Sequence, residues 1–92
     1  MQEDKQEQSR KVLLVDDDRL VLATLGKGLE QAGYAVQACA SVEEAKRVIA
    51  LDMPDIAVLD VRMPGISGLE LASELGNGKH IPFIFLTAYN EA

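Results

Sequence analysis

The chain has 92 residues, a net charge of −6, 48% hydrophobic residues and one cysteine. That length limits it to one domain, and no apolar stretch approaches the roughly 20 residues of a bilayer-spanning helix. The acidic balance argues against gripping a nucleic-acid backbone, which needs clustered Lys and Arg, and a lone Cys39 leaves neither an internal disulfide nor a metal-ligand spacing.

Met1 to Arg10 is polar and lacks the apolar centre of an export signal. We read residues 1–10 as a flexible leader, 11–92 as the folded unit, and the cytoplasm as its location. Lys11 to Val15 is continuously apolar and rich in branched side chains, the pattern of a strand buried on both faces. Arg19 to Ala32 places Leu22, Leu25, Leu29 and Ala32 at three- and four-residue spacing, so it predicts a helix. Asp18 is the natural N-cap and Gly33 the C′ residue.

Tyr34 to Ala40 predicts a weaker strand, expected at a sheet edge. Ser41 with Glu44 forms a capping-box pattern, and Val42, Ala45, Val48 and Ile49 carry an apolar stripe down to about Leu51. Ile56 to Leu59 reads as a second strand buried on both faces. Met63, Pro64 and Gly65 then break regular structure. Ser67 with Glu70 opens a short helix bearing Leu71, Ala72 and Leu75, which Gly76 to Gly78 closes, and Ile81 to Leu86 supplies the last strand. Helix-containing connections between successive strands require a parallel α/β sheet with right-handed crossovers. Cys39 reads as a small buried apolar residue, and His80, alone in a loop, is assigned no role.

Three apolar runs end in oxygen-bearing residues: Asp16, Asp17 and Asp18 after the first, Asp60 after Leu59, and Thr87 after Leu86. In an open parallel sheet, ligands bind beyond the carboxyl ends of the strands. These groups are therefore expected to converge. Clustered carboxylates repel and raise one another's pKa unless a cation intervenes. Mg²⁺ suits an all-oxygen site of this kind.

The segments Val12-Leu-Leu-Val-Asp-Asp-Asp18, Pro54-Asp-Ile-Ala-Val-Leu-Asp-Val-Arg-Met-Pro-Gly-Ile-Ser-Gly-Leu69 and Pro82-Phe-Ile-Phe-Leu-Thr-Ala88 together resemble the receiver domains of two-component response regulators. The resemblance implies a flavodoxin-like, doubly wound sheet in the order 2-1-3-4, and a phosphoacceptor signalling domain rather than an enzyme in its own right. By position, Asp60 would accept the phosphoryl group. Asp17 would ligate Mg²⁺ directly, Asp16 mainly through water, and the Arg62 carbonyl would complete the protein ligands. Thr87 would be the switch hydroxyl, while Arg62 and Tyr89 would influence the lifetime of the phosphoryl group. The implied partners are a histidine kinase or phosphotransfer protein and an output domain or effector.

The departure from the family lies after Thr87. Complete receivers continue to a fifth strand, ending in a Lys that pairs with the acyl phosphate, and a last helix; the 92 residues contain neither. The match is thus to a C-terminally truncated receiver. Phosphorylation is expected to be impaired, and the exposed edge strand, Ile81 to Leu86, is expected to self-associate. Two other readings stay open: a phosphorylation-independent interaction module, and a haloacid-dehalogenase-like phosphatase using Asp16 as nucleophile. The phosphatase motif wants a small hydroxyl residue where Leu20 stands.

Overall fold

Strand β1 (Lys11–Val15) is the centre of the sheet, and Val12 to Val15 are each at most 3% exposed, as a run without polar alternation demands. The computed structural model describes residues 9–60, 71–73 and 81–86. Among these, β2 (Ala35–Cys39) and β3 (Ile56–Asp60) flank β1, and β4 (Phe83–Leu86) pairs with β3. All three pairings are parallel, in the order β2-β1-β3-β4. This is the doubly wound α/β arrangement expected from the sequence, with β2 at an edge.

The first crossover is helix α1 (Arg19–Gln31), and its ends are set by local chemistry. Asp18 Oδ1 accepts from Leu20 N–H at 2.9 Å and Val21 N–H at 3.3 Å, satisfying two amides that the helix cannot. At the other end Gly33 takes φ +104°, a left-handed conformation that is cheap only for glycine. Helix α2 (Val42–Leu51) begins with the capping box: Ser41 Oγ accepts from Glu44 N–H at 3.1 Å. The Glu44 carboxylate reaches back to Ala40 N–H at 2.8 Å, one residue beyond the usual N-cap partner. Leu71 to Ser73 are helical, in accord with a third helix. Its proposed cap, Ser67 with Glu70, and its end at Gly76 to Gly78 lie outside the described residues.

The sheet divides the core in two. On one face Leu13, Val15, Cys39, Ala57 and Leu59 pack with Val42, Ala45 and Ile49 of α2 and with Leu71, Ala72 and Ile81. Strand alternation puts Val12 and Leu14 on the other face, where α1 packs on β1 and β2. Each fully buried Leu or Val contributes about 1.5–3 kcal/mol through area removed from water.

Three boundaries differ from the sequence expectation. The α1 stripe runs through Leu22 and Gly26, both buried, whereas Ala32 is the exposed C-cap. A Cβ on Gly26 would sit 3.8 Å from Val36 Cγ1, so the glycine marks where the helix meets β2. The last strand starts at Phe83 rather than Ile81, although the Pro82 carbonyl still accepts from Ala57 N–H at 3.0 Å. The second strand is trimmed to Ala35–Cys39, and its first amide, Ala35 N–H, bonds the Arg10 carbonyl at 2.9 Å.

Candidate functional site: an acidic cluster at the strand ends

The β1-β3 register aligns Val15 with Leu59, so Asp16 and Asp60, the residues that follow each, emerge side by side at the same end of the sheet. Asp16, Asp17 and Asp60 each bring a carboxylate oxygen into one group, all within 4.8 Å of one another. Their surroundings differ. Asp16 is 3% exposed and Asp60 9%, while Asp17 is open to solvent.

Asp16 is fixed from two sides. Its N–H donates to the Cys39 carbonyl at 3.1 Å, tying the end of β1 to β2, and its Oδ1 accepts from Asp18 N–H at 2.9 Å. Burial holds the Asp16 carboxyl above its ordinary value; the Asp18 amide opposes this, and Asp60 and Asp17 reinforce it. Two buried acids therefore share a site built to hold more negative charge than it can stabilise alone. Asp18 stands apart, its carboxylate engaged in capping α1.

The donor set suits a hard divalent cation, since carboxylate oxygens from Asp16, Asp17 and Asp60 match the all-oxygen preference of Mg²⁺. No softer nitrogen or sulfur ligand joins them among the described residues. Arg62, Thr87 and Tyr89, and the 63–65 turn with Gly68, lie outside the described residues, as do Lys5, Lys79 and His80. None of the other lysines stands at these strand ends. Lys11 opens β1 at the opposite end, where its Nζ lies 2.6 Å from Asp52 Oδ1, and Lys27 and Lys46 lie within α1 and α2.

One feature escaped sequence reading. A cleft of about 330 Å³ lies between the start of α1 and the end of β2, lined by Arg19, Leu22, Ala23, Ala38, Ala40 and Glu44. These residues come from three separate segments, so no local motif marks them. Leu20, 73% exposed in the first turn of α1, supplies no hydroxyl beside the acids.

Comparison with known proteins agrees with this geometry. The family model for the response regulator receiver domain matches residues 12–92. Response regulator MprA of Mycobacterium tuberculosis is 44% identical over 81 residues, covering 87% of this chain and 35% of MprA. The chain thus spans about a third of the length of the curated relatives it matches. The non-phosphorylated HemR receiver domain of Leptospira biflexa superimposes with a TM-score of 0.78 at 36% identity, covering 91% of this chain and 68% of that one. Response regulator TrrA of Thermotoga maritima, solved in complex with Mg²⁺-BeF, gives a TM-score of 0.80 at 36% identity, covering 88% and 71%. A parallel sheet in the order 2-1-3-4, three acids at its strand ends and a family match over most of the chain lead to one conclusion: the chain belongs to the response regulator receiver domain family of two-component signalling.

Proposed function

We propose that this chain is a receiver module that accepts a phosphoryl group on Asp60 from a histidine kinase or phosphotransfer protein in an Mg²⁺-dependent reaction. The observation that carries the reading is the convergence of Asp16, Asp17 and Asp60 within 4.8 Å at one end of the sheet. In the transfer, the donor's phosphorus–nitrogen bond breaks and a bond forms between phosphorus and an Asp60 carboxylate oxygen, giving an acyl phosphate. Asp17 would hold the cation directly, Asp16 mainly through water, and the Arg62 carbonyl would complete the set. Bound Mg²⁺ would offset the charge of the three acids and of the incoming phosphoryl group.

Thr87 is the proposed switch hydroxyl, reporting the modification to an output domain or effector. As a signalling domain in the cytoplasm, the module would contribute to its own phosphorylation and dephosphorylation without acting on a separate substrate. Self-association through the edge strand belongs to the same reading.

Incubation with a small phosphodonor and Mg²⁺, followed by intact mass and peptide mapping, tests it. Mg²⁺-dependent addition at Asp60, lost in Asp60→Asn, is expected. A phosphoryl group on Asp16 would overturn the assignment in favour of a phosphatase-like nucleophile. Absence of any labelling, with partner binding unaffected by Asp60→Asn, would favour a phosphorylation-independent interaction module.

A further inference from the structure

We propose that β2 pairs antiparallel with β2 of a second copy of this chain, about a two-fold axis at Gln37, and that each copy seats its Tyr34 in the other's cleft beside α1. The contact is separate from the last strand. Its edge is bounded on both sides by described residues, Gly33 before it and Ser41 after it. Among the described residues β2 ends the sheet, with β1 as its one neighbour. Ala35 N–H donates to the Arg10 carbonyl and the Cys39 carbonyl accepts from Asp16 N–H, so Ala35, Gln37 and Cys39 turn their backbone groups toward β1. Val36 and Ala38 therefore direct N–H and C=O to the open side.

That array is short and complementary to itself. It stops at Tyr34, whose N–H donates to the Leu29 carbonyl at 3.1 Å, and at Ala40, whose N–H donates to the Glu44 carboxylate at 2.8 Å. One antiparallel register uses what remains: Val36 opposite the second copy's Ala38, and Ala38 opposite its Val36, each pair exchanging both backbone bonds. Gln37 then meets its own counterpart in the non-hydrogen-bonded position between them, where Cα atoms approach to about 4.5 Å. Among the described residues Gln37 Oε1 is buried without a hydrogen-bond partner. The second copy's Gln37 amide brings the donor it lacks.

The same register sets a knob against a hole. Val36 lies toward α1, its Cγ1 3.8 Å from a Cβ placed on Gly26, and Ala38 and Ala40 line the cleft together with Leu22 and Ala23. By strand alternation Tyr34 continues this face. The second copy's Tyr34 therefore stands opposite Ala40, and this ring, 41% exposed in one chain, meets a cleft of about 330 Å³ with room to take it. Arg19 and Glu44 on the cleft walls offer the phenol hydroxyl a donor and an acceptor. The usual guards of an edge are missing, since Ala32 to Val42 contain no charged residue and no proline. A second copy is favoured over an unrelated strand because one register satisfies the backbone, Gln37 and the cleft, each twice. Each seated ring buries about 150–250 Å². The whole contact stays below the roughly 1,200 Å² of stable interfaces, so the dimer is weak. The net charge of −6 opposes it, and added salt strengthens it.

Sedimentation equilibrium of the chain up to about 1 mM reads association, and mild oxidation of single-cysteine variants in a Cys39→Ala background reads register. A concentration-dependent dimer is expected. Ala38→Pro removes an outward donor and no bond to β1, so it should leave a monomer with an unchanged circular dichroism spectrum. Gln37→Lys, which sets like charges opposite each other at the axis, should do the same. Tyr34→Ala should weaken the dimer roughly tenfold, and an unchanged affinity would overturn the seating of the ring. Gln37→Cys should cross-link roughly tenfold faster than Ala35→Cys, because only position 37 lies opposite itself at disulfide distance. A monomer at every concentration, or equal cross-linking at the two positions, would overturn the pairing of β2. An oligomer indifferent to both Ala38→Pro and Gln37→Lys would place association elsewhere, the last strand included, and overturn it as well. None of these results touches the assignment of Asp60.

Discussion

Replacing Asp16 by Asn should stabilise the metal-free chain and cost it its response to Mg²⁺. At 4.8 Å, the outer limit of the separation between the carboxylate oxygens, two full charges repel by about 0.9 kcal/mol at the dielectric of water and about 3.5 kcal/mol at an effective dielectric of ~20. Asp16 and Asp60 are nearly buried, and Asp17 is exposed and better screened. We therefore take about 2 kcal/mol for the relief, within the limits just given. Asn retains an oxygen for the Asp18 N–H, so that hydrogen bond need not be lost. For a domain of this size the gain corresponds to a rise in Tm on the order of 10 °C.

The pH dependence gives the prediction its sign. The Asp16 carboxyl is held above its ordinary value, first by burial and then by Asp60 and Asp17, against the opposing Asp18 amide. A carboxyl whose folded pKa is raised contributes stability that is full below its unfolded value, about 3.9, and is lost as pH rises through the folded value. The advantage of Asp16→Asn is thus absent in acid and complete at neutral pH. Thermal unfolding followed by circular dichroism, with EDTA at about pH 4 and about pH 7.5, measures both limits. Mg²⁺ at a hundredfold excess over its Kd should raise wild-type stability by about 2.7 kcal/mol and the variant by much less. A variant less stable than wild type in EDTA at neutral pH, or one keeping the full Mg²⁺ shift, would refute the reasoning.

Leu14→Ala, at a fully buried position between Ala38 and Val58 on the central strand, should cost about 3–4 kcal/mol in urea unfolding; a loss below ~1 kcal/mol would show a core able to collapse around the gap. Gly28→Ala should add about 1 kcal/mol, because the site is exposed, helical and free of any atom within 4 Å of a new Cβ; destabilisation in the same titration would contradict it. Burial pushes the Cys39 thiol up to about 11, so a disulfide reagent at about pH 8 should label it slowly in the native chain and rapidly in urea. Equal rates would place Cys39 outside the packed core.

Much of the fold is legible from the residues because the deciding interactions are local. Asp18, Ser41 with Glu44, and Gly33 mark helix ends through bonds and backbone angles that reach only a few residues. Val12 to Val15 announce a strand buried on both faces because no polar side chain interrupts them. The start of β4 is less legible: apolar Ile81 reads as strand, yet pairing with β3 begins two residues later. The α1 face is also misread by hydrophobicity, since Gly26, which no apolar count includes, is buried where the helix packs on β2.

From the sequence alone come the residue types of the site, their positions at the ends of apolar runs, and the parallel α/β class that makes convergence physically reasonable. Tertiary structure decided how these acids come together. Asp16 and Asp60 meet because the register aligns Val15 with Leu59, whereas Asp18 turns to cap α1. Strand order and register depend on packing between segments distant in the chain, and the shared burial that raises the Asp16 carboxyl exists only once β1 and β3 lie side by side.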